Sequence, residues 1–143
     1  MAVGRGQLTL GLSFSGRSGM PRNYISQLIG GNQLVMLLPR GSAGRTPPVT
    51  QFDGRIAYAR ALSPTVNLEA FVSLFNLLNQ QATLLVDDNY TYDMAAPIVN
   101  GTSEDLKFAK NVNGAPVAKN PNYGRALAYQ SPFSARLGLR LTF

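Results

Sequence analysis

The final eleven residues, 133–143, alternate apolar and polar side chains without a break. Because successive side chains of a β-strand point to opposite faces, this period of two predicts a strand with one apolar face and one polar face. The apolar positions are Phe133, Ala135, Leu137, Leu139, Leu141 and Phe143. A soluble sheet buries such a face against a core, whereas a membrane barrel turns it to lipid and turns the polar face to an aqueous lumen.

The composition favours a β-rich chain. Only 14% of the 143 residues are charged, well below the roughly 25% of ordinary soluble domains. The 13 basic against 7 acidic residues give a net charge of +6, but the basic residues are scattered singly, so we expect no nucleic-acid partner. The chain has no cysteine and no histidine, which excludes disulfides, thiolate metal sites and histidine-based catalysis within it.

Targeting features are weak. No stretch approaches the roughly 20 apolar residues of a membrane helix, and the first residues lack the pattern of a secretory signal. A protein of an outer membrane needs such a signal. We therefore expect the chain to be the C-terminal part of a longer protein, or a mature form.

The alternation predicts four strands, at about 7–19, 51–62, 66–86 and 121–143. Long polar loops are expected at about 20–50 and 87–120, with a short apolar element near 33–38. Ser63-Pro64-Thr65 predicts a tight turn between the second and third strands. Residues 66–80 also fit helical spacing, but a short turn between two segments of similar length favours a hairpin.

The connections are therefore long, short and long. Bacterial outer-membrane barrels have short periplasmic turns and longer extracellular loops, so the topology agrees with the alternation. The smallest membrane barrels need about eight strands. We thus expect an all-β fold: an antiparallel transmembrane β-barrel segment of about four long strands from a larger barrel, with two long extracellular loops.

Three passages carry a resemblance to a known family. They are Asn67–Asn79, which ends in an Asn-Leu-Leu-Asn sequence, Asn120–Ala126 followed by Gln130-Ser131-Pro132, and the closing Ser134–Phe143. In this order they resemble the C-terminal end of a TonB-dependent outer-membrane receptor, and more loosely the Oar-like members with large surface loops. The family usually has Phe where this chain has Leu78.

The resemblance implies a function, a location and a set of partners. It implies ligand uptake across the bacterial outer membrane, without a cofactor. The implied partners are outer-membrane lipid, an N-terminal barrel part and plug that this chain lacks, the TonB complex acting through that missing part, and the barrel-assembly machinery. The family's closing strand is the signal read by that machinery, which falls here on Leu137, Leu139, Leu141 and Phe143.

Five charged side chains are the candidates for the lumen face: Asp53, Arg55, Glu69, Arg136 and Arg140. Asp53 and Glu69 are the candidates for a general acid/base pair. Alternatively, the three arginines neutralise these two carboxylates across the lumen wall. No other group completes a catalytic set. We therefore expect no enzymatic activity.

Two loop features have competing interpretations. Asp87, Asp88 and Asp93 offer oxygen ligands for calcium, but their spacing does not match an EF-hand, so we expect a solvated loop without metal. The tyrosines in or beside loops would stack on a ligand or form an aromatic girdle at the membrane interface. They are Tyr24, Tyr90, Tyr92, Tyr123 and Tyr129.

Two alternatives to a transporter stay open. One is a structural or adhesive outer-membrane barrel that does not transport, and a plug domain upstream would argue against it. The other is a soluble β-sandwich binding module, and recovery of the protein only from membranes would argue against that.

Overall fold

The computed structural model describes residues 2, 3, 6–30 and 33–143. Its elements are β-strands and one short 3₁₀ helix, so the predicted all-β class is confirmed. Within those residues, no helix combines the length and the apolarity needed to cross a lipid bilayer.

The strands are β1 (Ala2–Val3), β2 (Gly6–Arg17), β3 (Ile25–Gln27), β4 (Leu34–Met36), β5 (Val49–Ala61), β6 (Asn67–Phe75), β7 (Thr83–Val86), β8 (Asn89–Met94), β9 (Ala126–Tyr129) and β10 (Ser134–Thr142). The 3₁₀ helix spans Ser103–Phe108. The chain divides into two compact units, the first from 1–17, 49–81 and 130–143 and the second from 18–48 and 82–129.

The first unit is one antiparallel sheet in the order β1-β2-β5-β6-β10. Its register aligns side chains in rows across four strands: Ile56 pairs with Leu10 and Val72, and Val72 pairs with Leu137. Because register preserves the alternation, the strands turn most of their apolar side chains to the same face, while Phe71 and Phe75 of β6 lie on the other. No sheet closes into a barrel in the described part of the chain.

The short connection is a hairpin. Ala61 pairs with Asn67, and the Ser63 hydroxyl accepts a 3.1 Å hydrogen bond from the Val66 N–H. The segment after the turn is strand β6, as expected from its neighbours, and the helical alternative is wrong.

The third and fourth strands are shorter than predicted. The strand expected to reach residue 86 ends at Phe75, because Asn76 takes a left-handed φ of 52° that breaks the ladder. Residues 83–86 form β7, which pairs with β9 in a separate sheet. The strand expected from residue 121 begins only at Ser134.

The two predicted loops are not irregular. They fold together as the second unit, with a sheet in the order β4-β3-β8 and the two-stranded β7-β9 sheet. The β3-β8 pair is parallel and joins one loop to the other. The core of this unit is Leu37, Leu38, Ala95 and Leu106.

Both long connections leave the first unit's sheet at one end. In the antiparallel order, β2 and β6 finish where β5 and β10 start. This arrangement allows the two connections to fold as one body.

Candidate functional site: the two faces of the sheet

One face of the first unit is apolar and exposed. Leu12 is 86% exposed, Leu137 77% and Leu139 73%. Further exposed side chains on the same face are Leu10, Phe14, Phe52, Ile56, Tyr58 and Leu141. Soluble monomers rarely expose contiguous apolar patches larger than a few hundred Å². A face of this kind therefore calls for an apolar partner.

The opposite face is polar and carries a cross-strand ion cluster. Glu69 on β6 accepts a 2.9 Å hydrogen bond from Arg55 on β5 and lies 3.5 Å from the Arg140 guanidinium on β10. The Arg55 guanidinium also lies over the Phe71 ring, 4.1 Å from its centroid. The cluster thus links three adjacent strands on one face.

Phe71 is a large aromatic residue on this polar face. It is paired with Gly138 on β10, and a Cβ atom at Gly138 would overlap its ring. The ring fills the space above the glycine, and Arg55 covers the ring's outer side. An aromatic side chain that covers a cross-strand glycine pins the register.

The other two candidate lumen residues make different contacts. Asp53 accepts hydrogen bonds from the Asn76 N–H at 2.9 Å and from the Gln51 side chain. The Arg136 guanidinium lies 5.7 Å from the centre of the Phe75 ring. The structure therefore brings Arg55 and Arg140 to Glu69, and it brings neither of the acids to Arg136.

Asp53 and Glu69 do not form a pair. Glu69 is paired with Ala59, six residues along β5 from Asp53, which is about 20 Å at 3.3 Å per residue. The acid/base arrangement considered from the sequence needs both carboxyls at one bond. This geometry does not provide it.

Asn76 and Asn79 tie the end of β6 to the start of β10. Buried Asn76 donates two 2.7 Å hydrogen bonds from its amide, to the Gln80 and Ser131 carbonyls, and accepts one from the Gln80 N–H. Asn79 accepts one from the Phe133 N–H at 2.9 Å. Both residues have a left-handed φ, which asparagine tolerates better than most. In the sequence these asparagines mark only the family resemblance, because their hydrogen-bond partners depend on the fold.

β10 places the candidate assembly residues on the apolar face. Leu137, Leu139 and Leu141 share that face, and Phe143 follows the strand at 93% exposure. β10 pairs only with β6 among the described residues, so its other edge is open.

The second unit contains a tyrosine cluster. Tyr24 and Tyr123 stack with ring centroids 5.3 Å apart, and Tyr90 meets both rings edge-on. Burial, and then the neighbouring Tyr24, raise the pKa of both Tyr90 and Tyr123. Three of the five loop tyrosines therefore pack on each other, while Tyr92 and Tyr129 are exposed.

The loop carboxylates each have a protein partner. Asp87 accepts hydrogen bonds from Asn89 and from the buried Asn120 amide, Asp88 faces Arg22, and Asp93 accepts one from the Ala118 N–H. Burial alone would raise the pKa of Asp87, but the bonds from Asn89 and Asn120 outweigh it and lower that pKa. In the described residues, no group of three or more acidic, His or Cys side chains is arranged to hold a metal ion.

The chain is similar in sequence to part of a known protein. No family model matches the chain, and no solved structure matches it. The chain is 33% identical over 152 residues to the TonB-dependent transporter Oar of Myxococcus xanthus, an alignment that covers 94% of this chain. The chain spans 14% of that transporter's length. Over nearly all of its own length, it is therefore related to part of a TonB-dependent transporter.

Proposed function

We propose that the chain forms part of the wall of an outer-membrane β-barrel in a TonB-dependent transporter, which takes up a ligand across the outer membrane. The observation that carries the proposal is the two-faced sheet. Its apolar face is exposed on β2, β5 and β10 and half-buried on β6, and its polar face carries the Arg55–Glu69–Arg140 cluster.

The strand lengths suit a bilayer. The four long strands have 12, 13, 9 and 9 residues, and a tilted strand crosses a membrane with about 9–11. In this role Leu12, Leu137 and Leu139 contact lipid. The polar side chains line an aqueous lumen: Asp53, Arg55, Glu69, Arg136 and Arg140.

The open edges call for further strands. In the described part of the chain, β10 has no partner on its outer side, and β1, which pairs with β2, is two residues long. Unpaired backbone groups are costly in lipid, where no water can satisfy them. We propose that additional barrel strands, a plug and the contacts to TonB come from parts of the protein outside these 143 residues.

In this account the second unit is the extracellular part and contributes to ligand capture without an enzymatic step. Leu137, Leu139, Leu141 and Phe143 serve as the assembly signal as well as lipid contacts. The relative's printed description as a transporter supports a non-enzymatic role.

Membrane fractionation of cells that produce the full-length protein tests the location. We expect the protein in the outer-membrane fraction, resistant to extraction with alkaline carbonate. Release into the soluble fraction would contradict the barrel and favour a soluble sandwich.

Transport is tested separately from location. Mass spectrometry of the culture medium should show at least one compound that is consumed only when both this protein and TonB are functional. A barrel that is correctly inserted, but whose deletion changes no compound in the medium, would indicate the structural or adhesive alternative.

A further inference from the structure

Arg60 is a basic residue on the apolar face of the first unit's sheet. The register pairs it with Gly6 on β2 and with Leu68 on β6, and Leu68 in turn pairs with Leu141 on β10. Among the described residues of the four long strands, Arg60 is the one charged side chain on this face. A charge in this position calls for an anionic partner.

The sheet itself does not supply that partner. In the described part of the chain Arg60 takes part in no ion pair, whereas Arg55 and Arg140 share Glu69 on the opposite face. The alternation of the strands places the described carboxylates of the sheet on that opposite face, away from Arg60. Arg60 is exposed, so its guanidinium is accessible to an anion from outside the sheet.

Arg60 lies near one rim of the apolar face, in the last row before the β5–β6 hairpin. The other rim carries Phe52, whose ring lies 4.6 Å from that of Phe14. Arg60 is eight residues along β5 from Phe52, which is about 26 Å at 3.3 Å per residue. A strand tilt of about 40° reduces this to about 20 Å across a membrane, where the apolar band of a barrel is about 25 Å tall. The long side chain of Arg60 therefore reaches the headgroup region, where a basic residue costs far less than at the bilayer midplane.

Tyr58 extends toward the same rim. It pairs with Leu8, yet a Cβ atom at Gly6, one row nearer the hairpin, would overlap the Tyr58 hydroxyl and ring. The side chain thus lies along the sheet and carries its hydroxyl toward the row of Arg60. Tyrosine is enriched at membrane–water interfaces because its ring is apolar and its hydroxyl is polar.

An anionic phospholipid complements both features of this rim. Its phosphate accepts two parallel hydrogen bonds from the planar fork of a guanidinium, and its acyl chains match apolar side chains such as Leu68 and Leu141. A zwitterionic phospholipid has the same acyl chains, but its own ammonium group offsets the charge of its phosphate. The charge of Arg60 therefore favours the anionic lipid.

We propose that Arg60 binds the phosphate of an anionic phospholipid, whose acyl chains lie along the apolar face beside Leu68 and Leu141. This inference rests on the proposed function, because it requires the apolar face to contact lipid. In that account the short hairpin is periplasmic, so the lipid belongs to the periplasmic leaflet.

Fluorescence quenching in lipid vesicles tests the proposal. The full-length protein carries one fluorophore on a single cysteine, introduced either at Leu141 in the row of Arg60 or at Leu137 nearer the middle of the face. The vesicles are phosphatidylcholine with a variable fraction of nitroxide-labelled phosphatidylglycerol or nitroxide-labelled phosphatidylcholine. We expect phosphatidylglycerol to associate beside Leu141 about fivefold more tightly than phosphatidylcholine, the factor expected for one arginine near a membrane surface. At Leu137 the two lipids should quench equally.

Three variants assign the preference to Arg60. Arg60→Gln should abolish it, and Arg60→Lys should retain most of it because the charge remains. Arg17→Gln is the matched control, since it removes the same charge from the opposite face near the other end of the sheet, and it should leave the preference unchanged. If Arg60→Gln does not insert, the comparison of Leu141 with Leu137 in the protein with Arg60 still decides the question.

The outcomes separate this proposal from the one on which it rests. Equal quenching by the two lipids at Leu141, an equal preference at Leu137, or a preference that survives Arg60→Gln would overturn the Arg60 site while the sheet still contacts lipid. Absence of quenching by either lipid at both positions would show that the apolar face does not contact lipid, and would overturn the barrel wall as well.

Discussion

Asn76 shows how one side chain ends a strand and fastens its neighbour. Its left-handed backbone stops β6, its N–H donates to Asp53, and its amide reaches Gln80 and Ser131. The alternation of the sequence fails at this residue because the chain turns there. The Asn-Leu-Leu-Asn passage therefore holds β5, β6 and the segment that leads into β10 together through hydrogen bonds.

Asn76→Ala should destabilise the first unit by about 3 kcal/mol, because it removes two donated hydrogen bonds and one accepted bond at a buried position. Asn79→Ala should cost only about 1 kcal/mol, since Asn79 is exposed and accepts one bond. The two variants lose the same left-handed preference, so their difference isolates the buried bonds. Urea unfolding in detergent measures both, and equal losses would contradict this role.

Gly138 gives a second prediction at the scale of a residue. Gly138→Ala should cost about 1–3 kcal/mol, because its Cβ would overlap the Phe71 ring. Gly11→Ala on the same face is the matched control, since its Cβ meets only the Arg55 Cβ at 3.9 Å. Unfolding midpoints should fall for Gly138→Ala and recover in the double variant with Phe71→Leu. A loss of the same size at Gly11 would exclude the overlap as the cause.

At the scale of elements, period-two patterns predicted β2, β5, β6 and β10 but not where β6 ends or where β10 begins. The apolar run 82–86 reads as a continuation of β6, yet it pairs with β9 elsewhere. The parallel contact between Ile25 and Asn89 is equally invisible to local patterns, because it joins residues from different connections. The alternation of the sequence assigned Glu69 and the arginines to one face of the sheet. Which arginines reach Glu69 depends on the register of the strands, which brings Arg55 and Arg140 to it and not Arg136.

β10 carries a prediction about assembly. Deletion of Phe143 from the full-length protein should lower insertion into the outer membrane several-fold, if this residue and the three leucines are the assembly signal. Phe133→Ala is the control, because Phe133 is also an exposed aromatic residue but precedes the strand. Quantitative blotting of outer-membrane fractions measures the effect, and undiminished insertion would show that Phe143 only contacts lipid.

The second unit carries a prediction about pH. The pKa of Asp87 in the folded chain lies below its ordinary value of 3.8, so its charge stabilises the fold above that pH. This contribution to the free energy of unfolding should be lost as the pH falls through the pKa of Asp87 in the folded chain. Near-UV circular dichroism of the tyrosines should follow the loss.

Asp87→Asn should weaken this dependence on pH, and Glu104→Gln, at an exposed position, should leave it unchanged. The capping bonds from Thr102 lower the pKa of Asp105 as well, so some dependence remains in every variant. A pH profile that is identical in wild type and Asp87→Asn would contradict the role of the Asp87–Asn120 pair.

For the whole molecule, the central claim is that one sheet separates lipid from water. The alternation of residues 133–143 indicated an apolar and a polar face, and the structure extends this division between two faces across β2, β5, β6 and β10. The second unit was not foreseen, because its core and its tyrosine cluster join residues that lie far apart along the chain. The partial relationship to a TonB-dependent transporter agrees with the claim.

The most direct test is a single-cysteine scan of β10, which is feasible because the chain has no cysteine of its own. A fluorophore is attached at Leu137, Leu139 or Leu141, or at Arg136 or Arg140, in the full-length protein reconstituted into lipid vesicles. Nitroxide-labelled lipids should quench the three leucine positions strongly, and aqueous iodide should quench the two arginine positions. Equal quenching by lipid at all five positions, or by iodide at all five, would contradict the account.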